Sequence, residues 1–244
     1  GTGLPLVSPQ GGSLRIRRCV IEGDGTNVGI SPGSDARIEN TVFRRLGRAI
    51  SIGSPQNRLT AVNCVFVDVD AVVGGVNNTV FDFVNCTFVN IAGSEGTWTA
   101  VDPRLVNCVA RGINVNFYRA GVTINSSLLP FGVPGAGNIV GQAQFVNTGA
   151  GDYRLLPTSP GVDAADAAAF EAAGALVRDA AGAVRVLDLA GVPNSGADAL
   201  GLDMGAFETP ASLLPPLCVP DLNKDGELTF DDIQAFIAAF NAGC

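Results

Sequence analysis

The feature that most constrains the fold of this chain is an internal repeat of about 22 residues. Five segments align on one anchor position, with spacings of 22, 23, 22 and 22 residues, and the anchors are Cys19, Thr41, Cys64, Cys86 and Cys108. Apolar residues recur two positions after the anchor and three and five positions before it. Because a solenoid stacks equivalent positions of successive turns into columns, this pattern predicts a structure built of similar coils.

One column of the repeat is occupied mainly by asparagine. The position before the anchor is Arg18 in the first copy and Asn in the next four, namely Asn40, Asn63, Asn85 and Asn107. Across this column the inward positions are three residues apart instead of the two of a regular strand. Strand alternation is therefore interrupted there, and the chain bends. Asn tolerates the left-handed conformation, and its amide can bond the Asn of the next coil. The predicted fold class is all-β: a parallel β-helix of six coils, each with three short strands and a rung of an Asn ladder.

The composition is typical of a folded, turn-rich chain and removes several kinds of chemistry. Hydrophobic residues make up 47% of the 244 residues, and the 31 Gly and 14 Pro follow no collagen period. The absence of His excludes mechanisms that need an imidazole base or ligand. No apolar run is long enough for a membrane span, and no lysine-rich tract indicates nucleic acid, so we expect neither partner.

Charge is distributed unevenly along the sequence. The net charge is −8, yet residues 1–60 hold eight Arg against four acids. Residues 150–244 hold four basic against fourteen acidic side chains. A basic first coil and an acidic C-terminal region make a head-to-tail contact between copies electrostatically favourable.

The repeat resembles the right-handed parallel β-helix repeats of secreted proteins. The segments NIVGQAQFVN, GDYRLLPTSPGVDAAD and LDMGAFE resemble the closing segment common in bacterial extracellular β-helix proteins. The resemblance implies a β-helix domain over residues 1–208, with coils in 12–130 and a closing segment in 131–208. This scaffold hosts polysaccharide lyases, hydrolases, adhesins and structural parts, so it indicates architecture rather than activity.

A second module is expected at the C-terminus, after a Pro-rich linker over residues 209–217. Residues 218–244 contain DLNKDGELTFDD, which matches a calcium loop with oxygen ligands at alternate positions. The expected calcium ligands are Asp221, Asn223, Asp225, Glu227 and Asp232. The unit resembles the dockerin-like module of the GC-type group, although it carries one loop where a dockerin has two. The expected role is anchoring.

Cysteine usage gives two further expectations. Cys218 and Cys244 bracket the C-terminal module, and in a secreted protein such a pair is expected to form a disulfide. Cys64, Cys86 and Cys108 are expected to be buried free thiols, since parallel side chains one coil apart disfavour a bridge.

Two apolar surfaces need a cover and are candidate interfaces. The first is a helical stripe in the C-terminal module, formed by Ile233, Phe236, Ile237 and Phe240. The second is a row of outward valines on coils three to five, which includes Val62, Val84 and Val106. Either residues 130–208 fold over these valines or a neighbouring subunit covers them.

These features favour a secreted, non-enzymatic structural or adhesive protein of the cell surface, with a self-assembling extracellular filament as its most specific form. The expected partner is a second copy or another cell-surface protein. The competing class is a polysaccharide-binding or polysaccharide lyase-like β-helix protein. Its candidate residues are an outward Arg and Asp cluster, formed by Arg44, Arg45, Arg48, Asp68 and Asp70.

Overall fold

The computed structural model describes residues 4–9, 12–53, 57–75, 80–93, 97–99, 102–174, 176–196 and 201–214, together with Gln234, Ile237, Ala238 and Asn241. The chain divides into two compact units, residues 1–209 and residues 210–244. The first unit is a parallel β-solenoid of about five coils, one fewer than the repeat predicted.

Eighteen strands are described, and most of them are short. In chain order β1 to β18 are Pro5–Val7, Leu14–Arg17, Val20–Glu22, Val28–Ile30, Ala36–Glu39, Val42–Ser51, Arg58–Val62, Val65–Gly74, Val80–Val84, Thr87–Ile91, Trp98–Thr99, Arg104–Val106, Val109–Ile113, Thr123–Asn125, Leu128–Leu129, Ile139–Val140, Phe145–Asn147 and Asp152–Leu155. One short α-helix is described in the first unit, α1, which spans Ala167–Ala172.

Two sheets form the walls of the solenoid, and every strand pair in them is parallel. The six-stranded sheet has the order β14-β12-β9-β7-β5-β2. The ten-stranded sheet follows the order β1-β4-β6-β8-β10-β13-β15-β16, with β3 beside β6 and β11 beside β8. The registers match the sequence repeat, since Phe43 pairs with Phe66 and Phe66 with Phe88. The all-β, parallel prediction is therefore confirmed.

Stacked side chains fill the interior of the coils. The rings of Phe43, Phe66 and Phe88 stack with centroids 5.0 and 5.2 Å apart, and all three are fully buried. Trp98 closes this stack, and its indole N–H donates to the Phe117 carbonyl at 2.7 Å. Aromatic columns of this kind stabilise the solenoid through burial and ring contacts between successive coils.

The bend predicted at the Asn column is present. Asn40, Asn63, Asn85 and Asn107 all lie in the left-handed region, with φ between 50° and 55°. Arg18 occupies the same position in the first coil, with φ of 52°. Left-handed φ is unfavourable for most residues and least so for Gly, Asn and Asp, which explains why Asn dominates this column.

A second left-handed column was not predicted from the sequence. It lies within the strands β6, β8, β10 and β13, and its members are Arg45, Asp68, Asn90 and Gly112. The sequence carried a signal for this bend. The inward residue after Phe43 is Leu46, three positions later instead of two, so the strand alternation is interrupted a second time. Each of these four coils therefore has two sharp bends, which give it three faces.

The closing segment folds back over the outer side of the coils. Its hairpin of β17 and β18 is antiparallel, and α1 begins after the N-cap Asp166. Under this segment Val62, Val84 and Val106 are 0%, 3% and 8% exposed. The cover over these valines is intramolecular, which decides between the two alternatives that the sequence left open.

In the second unit, residues Ala211–Leu213 form a 3₁₀ turn, and Gln234, Ile237, Ala238 and Asn241 are helical. Ile237 is 52% exposed. The other three members of the predicted stripe, Ile233, Phe236 and Phe240, lie outside the described residues. No helix in the described part of the chain is long and apolar enough to cross a membrane.

Candidate functional site

The Asn ladder is the surface on which the closing segment docks. The Asn63 amide donates to the Asn40 side-chain carbonyl at 3.2 Å and to the main-chain carbonyl of Arg178 at 3.1 Å. The Asn107 amide likewise donates to Asn85 at 3.2 Å and to the main chain of Asp166 at 2.8 Å. Each of these two Asn residues thus uses one amide hydrogen along the ladder and the other toward the closing segment.

The Asn85 amide makes no hydrogen bond to Asn63, the preceding Asn of the ladder. The Asn85 amide donates instead to the main-chain carbonyl of Asp203 at 3.0 Å. The side-chain oxygen of Asn63 is consequently buried with no hydrogen-bond partner among the described residues. Docking of the closing segment is therefore favoured over completion of the ladder at this coil.

Two motifs of the closing segment meet on this surface. The main-chain N–H of Asp163, from GVDAAD, donates to the Asp203 carboxylate of LDMGAFE at 2.8 Å. The N–H of Gly205 donates to the Asn107 carbonyl at 2.8 Å. A Cβ on Gly205 would lie 2.8 Å from the Thr87 hydroxyl and 3.0 Å from Val109, and φ is +89°. Only Gly both lacks a Cβ that would clash here and adopts this positive φ without strain, which explains this residue in the motif.

Buried ionisable side chains organise the loops of the closing segment. Arg185, Asp163, Asp203 and Glu208 are each 1% exposed. The Arg185 guanidinium donates to the main-chain carbonyls of Asp203 and Gly205 at 2.8 and 2.6 Å. The carboxylates accept mainly from main-chain N–H groups, as Asp203 does from Thr209 at 2.7 Å. These groups satisfy the backbone of a buried loop and are inaccessible to a substrate.

Burial shifts the protonation of these carboxyl groups. Desolvation and the nearby charge of Asp203 raise the pKa of Asp163 to about 6. Desolvation raises the pKa of Glu208 to about 9, against the lowering effect of Arg185. The pKa of Asp203 is also raised by burial. The closing segment therefore holds protons that its unfolded chain would release near neutral pH.

The outer face of the six-stranded sheet carries rows of paired charges. Glu39, 2% exposed, forms salt bridges with Arg15 at 3.2 Å, with Arg37 at 2.6 Å and with Arg17. Farther along the sheet, Asp82 forms salt bridges with Arg58 and Arg104 at 2.8 and 2.9 Å. Each acid is shared by several arginines, so this face carries surplus positive charge.

Most of the candidate lyase residues are engaged with neighbours in the described part of the chain. Arg44 donates to Glu22 at 2.8 Å through Nε, and Arg45 forms a salt bridge with the same carboxylate. Asp68 accepts from the Asn90 amide at 3.0 Å. The remaining two candidates are Arg48, whose Nε is buried without a partner among the described residues, and Asp70, which has a partner.

Tyr153 lies within electrostatic range of this cluster, although the sequence did not indicate it. Burial raises the pKa of the Tyr153 hydroxyl, and the charge of Asp68 raises it further while Arg44 lowers it. Tyr153 packs edge-on against Phe145 at 5.9 Å, and the Arg111 guanidinium lies 5.8 Å from that ring. The hairpin thus brings an aromatic hydroxyl into the field of an Arg and an Asp from the coils, which the repeat pattern does not reveal.

A groove runs beside the first two positions of the ladder column. One part, of about 560 Å³, is lined by Arg17, Arg18, Glu39, Asn40, Leu176, Val177 and Arg178. The adjoining part, of about 410 Å³, is lined by Arg18, Cys19, Val20, Asn40, Val42, Arg178 and residues 180–182. We call these two parts together the corner groove; Arg18, Asn40 and Arg178 line both.

The calcium and disulfide predictions remain predictions. Asp221, Asn223, Asp225, Glu227 and Asp232, as well as Cys218 and Cys244, lie outside the described residues. Within the described ranges, no group of three or more Cys, Asp or Glu side chains is arranged to hold a metal ion.

The four described cysteines are Cys19, Cys64, Cys86 and Cys108, and all four are free thiols. Cys19 is exposed and the other three are buried, as expected. Burial raises the pKa of the Cys86 thiol well above its usual value. The Cys86 thiol therefore remains protonated, and the three buried cysteines serve as small apolar side chains of the core.

Comparisons with protein-family models, with curated proteins and with solved structures found no match to this chain. The assignment of a function therefore depends on the geometry described above.

Proposed function

We propose that this chain is a secreted, non-enzymatic structural or adhesive protein of the cell surface, and that its copies associate through the first coil. The observation that carries the proposal is an open strand edge. In the described part of the chain, β1, β2 and β3 lie at this end of the solenoid and each pair on one side only, with β4, β5 and β6. Val20 on β3 is 59% exposed, and Leu6 on β1 is 47% exposed. An edge with exposed apolar side chains favours pairing with another β-chain.

The opposite end of the six-stranded sheet is closed. The Asn138 amide donates to the Ile124 carbonyl at 2.8 Å, and the N–H of Ala136 donates to the Asn125 side chain at 3.0 Å. Residues 134–138 therefore cover the edge of β14. Since the two ends differ, a contact between them is heterologous, and it extends into a filament when the rotation does not close.

Charge supports a head-to-tail arrangement of the copies. Arg15 and Arg17 are about half exposed on the first coil. Residues 150–244 carry fourteen of the 23 acidic residues, and these outnumber the four basic residues there even when the buried Asp163, Asp203 and Glu208 are left out. Two first coils facing each other would bring like charges together. An approach of the acidic region of another copy is attractive instead, and salt weakens it.

The C-terminal module completes the proposal. Its sequence supports a calcium-stabilised anchor to another cell-surface protein, because Asp221, Asn223 and Asp225 follow the spacing of a calcium loop. Mass measurement by light scattering, over a range of protein concentrations and with or without calcium, tests the proposal. A mass that rises with concentration supports association, whereas a monomer under all these conditions contradicts it.

A polysaccharide-binding or lyase-like function is the second candidate. The observation that favours it is the position of Tyr153, a hydroxyl-bearing side chain on which the charges of Asp68 and Arg44 both act, the first raising its pKa and the second lowering it. Incubation with acidic polysaccharides in the presence of calcium, followed by ultraviolet absorbance of unsaturated products, tests this candidate. Product formation that is lost in Tyr153→Phe would establish the lyase-like function in place of the structural one.

A further inference from the structure

We infer that the corner groove binds an extended acidic peptide segment of a partner protein. The inference starts from the use of the ladder amides. At Asn63 and Asn107 one amide hydrogen serves the ladder and the other serves a main-chain carbonyl of the closing segment. At Asn85 the amide also donates to such a carbonyl. Three successive rungs thus hold a peptide backbone on the outside of the coils.

The next rung has the same geometry and no such carbonyl. Asn40 shares the left-handed φ of the other rungs, and its side-chain oxygen accepts from Asn63. Its amide has no acceptor among the described residues. The position before it, Arg18, has φ of 52° and likewise no acceptor for its guanidinium within the described ranges. The row of left-handed positions therefore continues beyond the closing segment into the corner groove. There the Asn40 amide and the Arg18 guanidinium can donate to the main-chain carbonyls of a bound peptide.

Charge defines the ligand as an anion. Arg17, Arg18 and Arg178 line the groove with Glu39, whose carboxylate already lies between three arginines. A ligand with carboxylates therefore meets surplus positive charge and amide donors, and hydrogen bonds between ionised groups are the stronger ones.

The apolar lining favours a peptide over an acidic sugar. Val20 and Val42 border the groove on the coil side, and Leu176 and Val177 border it on the closing segment. The described lining residues include no aromatic ring on which a sugar could stack. Side chains that alternate along an extended peptide can contact this apolar border while main-chain carbonyls meet Asn40.

Two substitutions change the proposed binding site and keep residues that suit the left-handed bend. Asn40→Asp keeps an oxygen for the Asn63 amide and a residue that tolerates left-handed φ, but it removes the donor and adds a repulsive charge. Arg18→Asn removes the guanidinium and installs the residue found at the other rungs. Arg104→Gln is the matched control, because Arg104 is similarly exposed, at 58%, on a distant coil and pairs with Asp82.

Fluorescence anisotropy with a labelled octaglutamate peptide tests the inference, on protein diluted until it is monomeric so that the result is independent of self-association. We expect saturable binding that Asn40→Asp weakens about tenfold or more and Arg18→Asn weakens several-fold, with little change in Arg104→Gln. Equal binding by all three variants would overturn the inference. So would the absence of peptide binding, or tighter binding of an octagalacturonate, which would identify an acidic glycan as the ligand.

Discussion

The side-chain amide of Asn85 donates to the main-chain carbonyl of Asp203, 118 residues later in the sequence, at 3.0 Å. This bond joins the repeat to the closing segment and interrupts the ladder between Asn63 and Asn85. It shows that the ladder stabilises two features at once, the bend of each coil and the cover over the outward valines.

The first prediction concerns this bond. Asn85→Asp keeps a residue suited to left-handed φ but places a carboxylate against the Asp203 carbonyl in a fully buried position. We expect the free energy of unfolding to fall by about 2–4 kcal/mol in urea denaturation. Asn40→Asp, at a rung without this bond, should cost much less. Equal losses in the two variants would show that docking on Asn85 contributes nothing specific.

The second prediction separates close packing from backbone strain. Gly205 and Gly182 have nearly equal φ, +89° and +90°, but a Cβ at Gly205 would contact Thr87 and Val109, whereas a Cβ at Gly182 meets nothing within 4 Å. Both Ala variants should be strained, and Gly205→Ala should lose about 1–3 kcal/mol more in free energy of unfolding. Hydrogen exchange should also rise in the closing segment of this variant alone. Similar stability of the two variants would contradict the docking described here.

The third prediction follows from the raised pKa of Asp163, about 6 against 3.8 for an ordinary Asp. The folded protein holds this proton more tightly, so the stabilisation is fully present below about pH 3.8 and is lost as the pH rises through about 6. Asp163→Asn cannot titrate, and its melting temperature should fall less over this pH window than that of the wild type. Asp152→Asn should keep the wild-type slope there, because the pKa of Asp152 is lowered by Arg154. A wild-type slope in Asp163→Asn would contradict the prediction.

The fourth prediction tests the calcium loop in the full chain. Calcium should slow hydrogen exchange in peptides from residues 218–244, because ligand carboxylates otherwise repel one another in a small loop. The double variant Asp221→Ala and Asp225→Ala should remove the effect, while exchange in residues 12–130 stays unchanged. Calcium-independent exchange in the wild-type module would refute the assignment.

The sequence predicted the repeat, the parallel sheets and the Asn bend because these depend on residues at a fixed spacing. It did not predict the second bend at Arg45 and Asp68, since that column contains four different residue types. The docking of Asp203 on Asn85 was also not predictable, because nothing in a 22-residue period specifies a contact 118 residues away. Tyr153 was missed for the same reason, as a hairpin outside the repeat places it within range of the charge of Asp68.

Sedimentation velocity of paired variants tests directly whether copies associate through the open edge of the first coil. Leu6→Lys with Val20→Lys adds charge to exposed positions on that edge, and Val184→Lys adds it to the closing segment, where Val184 is 53% exposed. We expect the wild type and Val184→Lys to form species larger than a monomer as concentration rises, and the edge variant to stay monomeric. Association of the edge variant equal to that of the wild type would contradict this expectation, as would a monomeric wild type at the highest concentration.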